Sequence, residues 1–447
     1  MPYIPVTDDN RKAMLETIGV SEFEELLSNI PKEALYEGEL DIPAPLSEWE
    51  ITKRLKQMSG ANKHAGTHLC FLGGGAYDHF VPAAIDHILL RPEFYTAYTP
   101  YQPEVAQGNL QVIYEYQTMI ANLTEMDVSN ASMYDGATAM AEAALLVHAQ
   151  TRRPDILIAK SVHPYYRRVV DTYCHRSGIN VIEIDLDGGM LSIEALKARI
   201  NDQTAGVLIQ HPNFLGNLEE VEEIEAIVHE AGALYVVSVD PISLGVLKAP
   251  GSYNADVATG EGQGLGNSLN FGGPYLGLFT VNKKLVRRMP GRLAGVTVDK
   301  KGQRGFVLTL QTREQHIRRD KATSSICTNQ QLCALASTVY MALMGKQGIP
   351  AVAEYSMQKA HYLAEKLSAL DGVEMLYDRP FFKEFAIKTS VDTQIVIDKM
   401  REKQIFAGVN LTRFDYGLDN GLLIAVTEKR SKEEMDLYVE ALKSIVG

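Results

Sequence analysis

The 447-residue chain is 46% hydrophobic and carries 56 acidic against 43 basic residues, a formal net charge of −13. That length holds two or three domains with substantial cores, and the acidic balance argues against nucleic acid or any other polyanionic partner. The opening Met1-Pro-Tyr-Ile-Pro-Val has no basic segment followed by an apolar core, and no apolar run approaches the ~20 residues of a membrane helix. Cys70, Cys174, Cys327 and Cys333 are dispersed without a Cys-x-x-Cys, so the expectation is a cytoplasmic protein with reduced thiols and no membrane contact.

Residues 1–70 read as a helical arm. Ser21-Glu-Phe-Glu24 has the capping-box pattern ahead of Leu26 and Leu27, and Pro31, Pro43 and Pro45 keep the helices short. From Gly136 onward apolar runs alternate with helical stretches, the pattern of a parallel sheet with helices on its faces. The expected strands are 155–159, 180–184, 205–210, 233–239, one beginning at Asp256, and 275–281, with helices over 137–148, 191–200 and 218–231. Glu219, Glu220, Glu222 and Glu223 open the last of these and complement its dipole on a solvated face. Beyond Gln311 a long helix is expected over 328–345, a strand over 421–427, and a final helix capped by Ser431-Lys-Glu-Glu434. The expected architecture is α/β: an arm over 1–70, a large mostly parallel-sheet domain with helices on both faces over 71–320, and a smaller C-terminal α/β domain over 321–447.

Common nucleotide and hydrolase motifs are missing. Gly73-Gly-Gly75 and the run Gly260-Glu-Gly-Gln-Gly-Leu-Gly266 do not give Gly-x-Gly-x-x-Gly, and there is no Gly-Lys-Ser/Thr and no Gly-x-Ser-x-Gly. His64 and His68 have the spacing of two metal ligands on one helical face, but a glycine lies between them and no acidic residue is near, so no metal is expected.

Three features follow one another in an informative order. Ser132-Met-Tyr-Asp135-Gly-Ala-Thr138 precedes an alanine-rich helix whose N–H groups suit a phosphate, although a plain N-cap explains the same residues. His163 follows the strand at 155–159, where a lone histidine is more often simply packed. Asp240 ends the apolar run 233–239, where it suits a protonated ring nitrogen but could equally cap the next helix. In this order the set resembles the pyridoxal phosphate (PLP) enzymes of fold type I, in which a lysine one strand later carries the cofactor as a Schiff base. Here Gln263 or Gly264 stands at that position, and neither has an amine. Asp135, His163, Asp240 and Gln263 therefore read as a vestigial cofactor cradle.

Three long segments sharpen the resemblance: Phe71-Leu-Gly-Gly-Gly-Ala-Tyr-Asp-His-Phe, Tyr98-Thr-Pro-Tyr-Gln-Pro-Glu-Val-Ala-Gln-Gly108, and the run from Gln311 to Thr328. They resemble the glycine cleavage system P-protein, and the similarity extends over the whole chain. The resemblance implies the first half of that protein, the α or subunit 1 form, inactive alone. It implies a PLP-bearing β subunit as partner, glycine as substrate, and a lipoylated H-protein that receives the aminomethyl group. It further implies that Tyr98, Tyr101, Gln102, Ser325 and Thr328 reach the partner's cofactor or substrate across the interface, although a tyrosine-rich loop also suits a bare interface. Arg313, His316, Arg318, Arg319 and Lys321 form a basic cluster that either is neutralised by Glu314 and Asp320 on a solvated face or meets the carboxylate of glycine or an acidic carrier protein. An assembly or regulatory protein using the same scaffold is the competing reading.

Overall fold

The computed structural model describes residues 6–36, 38–95, 97–270, 272–322 and 324–447. Its backbone divides into one unit over residues 1–63 and another over 64–447.

In the first unit, helix Asp8–Ile18 is capped by Thr7 and helix Glu48–Gly60 by Ser47, each within a capping box. Neither helix buries a side chain, and Met14, Trp49 and Met58 are exposed. The box expected between Ser21 and Glu24 is shifted by one residue. Glu25 accepts from the Ser21 hydroxyl and from the Ser21 and Glu22 N–H groups, because a 3-10 turn at Phe23–Leu27 brings that side chain back over the entry.

The second unit is built on a seven-stranded sheet: β1 Val128–Ser129, β2 Asp155–Ala159, β3 Asn180–Ile184, β4 Thr204–His211, β5 Leu234–Val239, β6 Val257–Glu261 and β7 Gly277–Val281. Their spatial order is β1-β7-β6-β5-β4-β2-β3, parallel from β3 to β6. The last expected strand is shorter than its sequence suggested and reversed, since β7 runs antiparallel to both β6 and β1. Among its described residues the link over 262–276 contains no helix to carry a crossover, and the chain turns back on itself. The inner strands are buried along nearly their whole length, which is why they read as continuous apolar runs. Helix Gly136–Thr151 crosses them with fully buried Ala139, Ala141, Ala143 and Ala144, small enough for close approach.

The expected helix over 328–345 begins later and continues further. Gln331–Ser368 is helical except at Gly345, whose φ of 57° breaks the run in two. Its second part, with helices Thr393–Glu402 and Lys432–Val446, packs on a four-stranded antiparallel sheet, β8 Val373–Met375, β9 Glu384–Thr389, β10 Val409–Asn410 and β11 Gly421–Ala425, in the order β8-β9-β11-β10. The capping box of Ser431 and Glu434 forms as its pattern indicates. Among the described residues no helix is long and apolar enough to cross a membrane.

Candidate functional site

The carboxyl ends of β2, β5 and β6 deliver His163, Asp240 and Glu261 to one end of the sheet, the edge at which open α/β sheets bind ligands. Asp135 caps the helix that starts at Gly136, accepting from Thr138 N–H at 2.8 Å, while the Thr138 hydroxyl accepts the Asp135 N–H. The next N–H of that terminus is already used. Gly136 donates to Glu261 Oε2 at 3.0 Å, and Glu261 Oε1 accepts from Gln263 and Leu276 N–H, both at 3.0 Å. A carboxyl group thus occupies the anion position of the helix start. Burial pushes it up to about 8, against the pull of the same N–H donors. A Cβ on residue 136 would fall 2.4 Å from the Tyr166 hydroxyl, so the closeness of this packing requires glycine.

At the other end of the cradle Asp240 is occupied too. Its Oδ2 lies 2.6 Å from the ammonium of Lys383, which is 2% exposed and immediately precedes β9. That ammonium also donates to His79 Nε2 at 2.8 Å and lies 3.6 Å from the centre of the Tyr77 ring. His79 Nδ1 then donates to Glu428 at 2.6 Å. Burial and the charge of Lys383 lower the His79 pKa, consistent with a neutral ring that accepts at one nitrogen and donates at the other. Tyr77 donates to Glu384 at 2.5 Å, and Glu384, pushed up to about 7 by burial, also accepts from Gly74 N–H.

Gln263, standing where the resemblance requires a lysine, has both amide atoms engaged. Its Oε1 accepts from Tyr77 N–H at 2.8 Å, and its Nε2 donates to the carbonyls of Tyr77 and Asn267. His163 caps the helix Pro164–Cys174, accepting Tyr165 N–H at Nδ1 and donating from Nε2 to Gly74 O. Its ring stacks on Tyr166 and meets the edge of Phe214, and burial lowers its pKa to about 4. Residues 135, 163, 240 and 263 thus lie around one region, each engaged with protein. Neither end of that region suits PLP as it stands, because a carboxyl holds the anion position and an ammonium faces the aspartate. Glu261 and Lys383 escape a reading of single motifs. The available signal for Lys383 is a charged pair interrupting the aromatic run Phe381-Phe382-Lys383-Glu384-Phe385.

The second set gathers around Arg292, which is 3% exposed. Its Nη2 donates to the Tyr101 hydroxyl at 3.0 Å, its guanidinium lies 5.2 Å from that ring, and Nη1 donates to Cys327 O. Glu314 balances it at 3.6 Å. Thr328 and Thr99 share a hydroxyl hydrogen bond of 2.8 Å, which ties the tyrosine loop to the segment ending at Thr328. Tyr101 and Thr328 are therefore brought together. Tyr98, Gln102 and Ser325 lie on the same two segments with exposed side chains, and Thr323 lies outside the described residues. The Cys327 thiol is exposed; its partial burial raises its pKa, but hydrogen bonds to Arg292, Thr328 and Tyr101 outweigh this and lower it.

A family profile described as "Glycine cleavage system P-protein" matches residues 1–442. The chain belongs to that family. P-protein relatives align end to end: "Probable glycine dehydrogenase (decarboxylating) subunit 1" of Chloroherpeton thalassium is 54% identical over 445 residues, all of both chains. The protein of the same description from Carboxydothermus hydrogenoformans is 54% identical over 442 residues, 99% of each. The crystal structure of a glycine decarboxylase P-protein of the glycine cleavage system in inhibitor-bound form superposes with a TM-score of 0.93 at 42% identity, covering all of both chains. Glutamate decarboxylase of Lactobacillus brevis, at 13% identity and a TM-score of 0.71 over 92% of this chain, shares the fold alone, that of the type I PLP enzymes.

Proposed function

We propose that this P-protein chain is the subunit without cofactor in a two-subunit glycine decarboxylase of the glycine cleavage system. Its relatives are named as subunit 1 of glycine dehydrogenase (decarboxylating), which calls for a second subunit. One observation carries the assignment of cofactor: the cradle residues are engaged from within, with Glu261 on the Gly136 N–H and Lys383 on Asp240. PLP then belongs to the second subunit, where it takes up the electrons released when glycine loses CO₂.

In this reading the chain contributes one wall of the site. Arg292 holds the Tyr101 hydroxyl and the Cys327 carbonyl in place, and the hydrogen bond between Thr99 and Thr328 fixes the two segments that carry them. That arrangement presents hydroxyl groups beside a buried cation, suited to a carboxylate or phosphate lent by the neighbour. Tyr98, Gln102 and Ser325 add exposed polar atoms on the same two segments. The aminomethyl group passes to the lipoyl arm of a carrier, the H-protein, which must reach this wall.

The reading is tested by assaying exchange of labelled bicarbonate into glycine with the purified chain, with the candidate second subunit, and with both. Exchange from the pair and none from this chain with added PLP supports it. Exchange from this chain alone contradicts it.

A further inference from the structure

A concentrated positive surface adjoins the Arg292 set, in a chain whose net charge is −13. Lys284, Arg287 and Arg288 on the turn Lys283–Arg288, with Arg313, Arg318 and Lys321 on the 311–321 segment, line a cavity of about 470 Å³ that includes no carboxylate. Their fixed contacts are to neutral groups. Arg288 donates to Gln150 at 2.7 Å, Arg318 to Thr312 O at 3.3 Å, and Arg313 to the carbonyls of Met289, Gly291 and Leu310. Such bonds aim the guanidinium groups and leave their charge in place. Glu314, buried within this segment, lies 3.6 Å from Arg292 and from His316 and its charge also acts on Arg313, so Arg313 is the partly balanced member of the set.

Cations around a concave wall reinforce one another's potential and attract an anionic surface. The rest of this acidic chain repels a long polyanion, whereas an acidic protein face can meet the cavity alone. Ile317, 54% exposed in the middle of the basic segment, points the same way, since an apolar side chain among cations is what a protein partner covers and a small anion leaves wet. The segment continues directly into Ser325–Thr328, so a partner seated here lies beside the Tyr101 and Thr328 wall.

We propose that this cavity is the docking site for a carboxylate-rich protein face; resting on the function proposed above, the partner is the lipoyl carrier that collects the aminomethyl group. The docking site sets the carrier's affinity and leaves the chemistry to the wall and the second subunit.

The test uses the reconstituted two-subunit enzyme with Lys284→Glu and Arg287→Glu, two exposed side chains outside the Tyr101 and Thr328 set. The lipoylated carrier is the varied substrate. The expected result is a KM for the carrier raised about tenfold with kcat within about twofold, and a wild-type kcat/KM that falls with added salt while that of the variant scarcely moves. Unchanged KM and salt dependence overturn the proposal. Separation of the two subunits in gel filtration overturns it as well, by assigning the cavity to the subunit interface. Direct titration of the carrier onto the pair gives a readout independent of turnover: affinity lost in the variant supports docking even where glycine is not decarboxylated, an outcome that faults the proposed reaction alone.

Discussion

The Lys383 ammonium and the Asp240 carboxylate lie 2.6 Å apart at the carboxyl edge of the large sheet, joining the end of β5 to the start of β9 in the C-terminal sheet. An ammonium with 2% of its residue exposed cannot be left unpaired, and here it is shared between Asp240, the neutral ring of His79 and the face of Tyr77. The pair gives Asp240 a partner within the chain.

Lys383→Met tests this directly. Removing one member of a buried pair strands the other, so the substitution is expected to destabilise the chain by about 3–5 kcal/mol. Adding Asp240→Asn in the same chain removes the stranded charge and restores a large part of the loss. Denaturant midpoints of the two single variants and the double variant read this coupling, and additive losses would contradict the pairing.

Glu261 makes a second prediction at the opposite end. Glu261→Ala frees the N–H groups of Gly136, Gln263 and Leu276, which then offer an anion site at the start of the helix. The variant is expected to bind inorganic phosphate with a Kd on the order of 1 mM, worth about 4 kcal/mol, while the wild type shows no saturable binding. Calorimetry or phosphorus NMR measures it; equal binding by the two proteins would remove Glu261 from the role of internal anion.

The stability of the fold should carry a histidine signature at acid pH. Burial holds His163 and His211 at about 4, below the ordinary 6.5, and each accepts a backbone N–H at Nδ1. Both stay neutral when folded and gain a proton when unfolded, so their contribution is complete above 6.5 and is lost as pH falls toward 4. Glu142 and Glu384, raised to about 7, and Glu261, raised to about 8, act with the opposite sign, contributing below 4.5 and losing it as pH rises through 7 and 8. The variant His163→Gln isolates one group. Its stability deficit at pH 7.5 should shrink by about 1.4 kcal/mol per unit between 6.5 and 4. A deficit that is the same at pH 7.5 and 5 would show that His163 titrates alike in both states.

Asp135, His163 and Asp240 were legible because each ends a strand or starts a helix, positions that the alternating pattern marks in the sequence. Their occupants were not. Lys383 and Glu261 meet their partners only through tertiary packing, and the spacing of residues within a segment carries no trace of a contact between β5 and the chain before β9. The parallel core was legible from its buried apolar runs, whereas the reversal of β7 depends on a link without a helix. Gly345 marked the end of one helical segment correctly, but nothing local announced that a second helix follows at once.

Tyr101→Phe in the reconstituted pair probes the wall. It removes the hydroxyl that accepts from Arg292 and leaves the ring in place. A hydrogen bond to a charged group contributes about 1.5–3 kcal/mol, so kcat/KM should fall roughly tenfold to a hundredfold while the subunits still co-elute. Thr328→Ala, which loses the bond to Thr99, should act in the same direction. Full turnover from both variants would leave these segments as interface alone.

Whether this chain's own cradle is closed to the cofactor is read from the PLP content of the purified two-subunit enzyme after dialysis against excess PLP. One PLP for each pair of chains is expected, with none on this chain when it is titrated by itself. Two PLP for each pair, or saturable binding to the isolated chain, would contradict it.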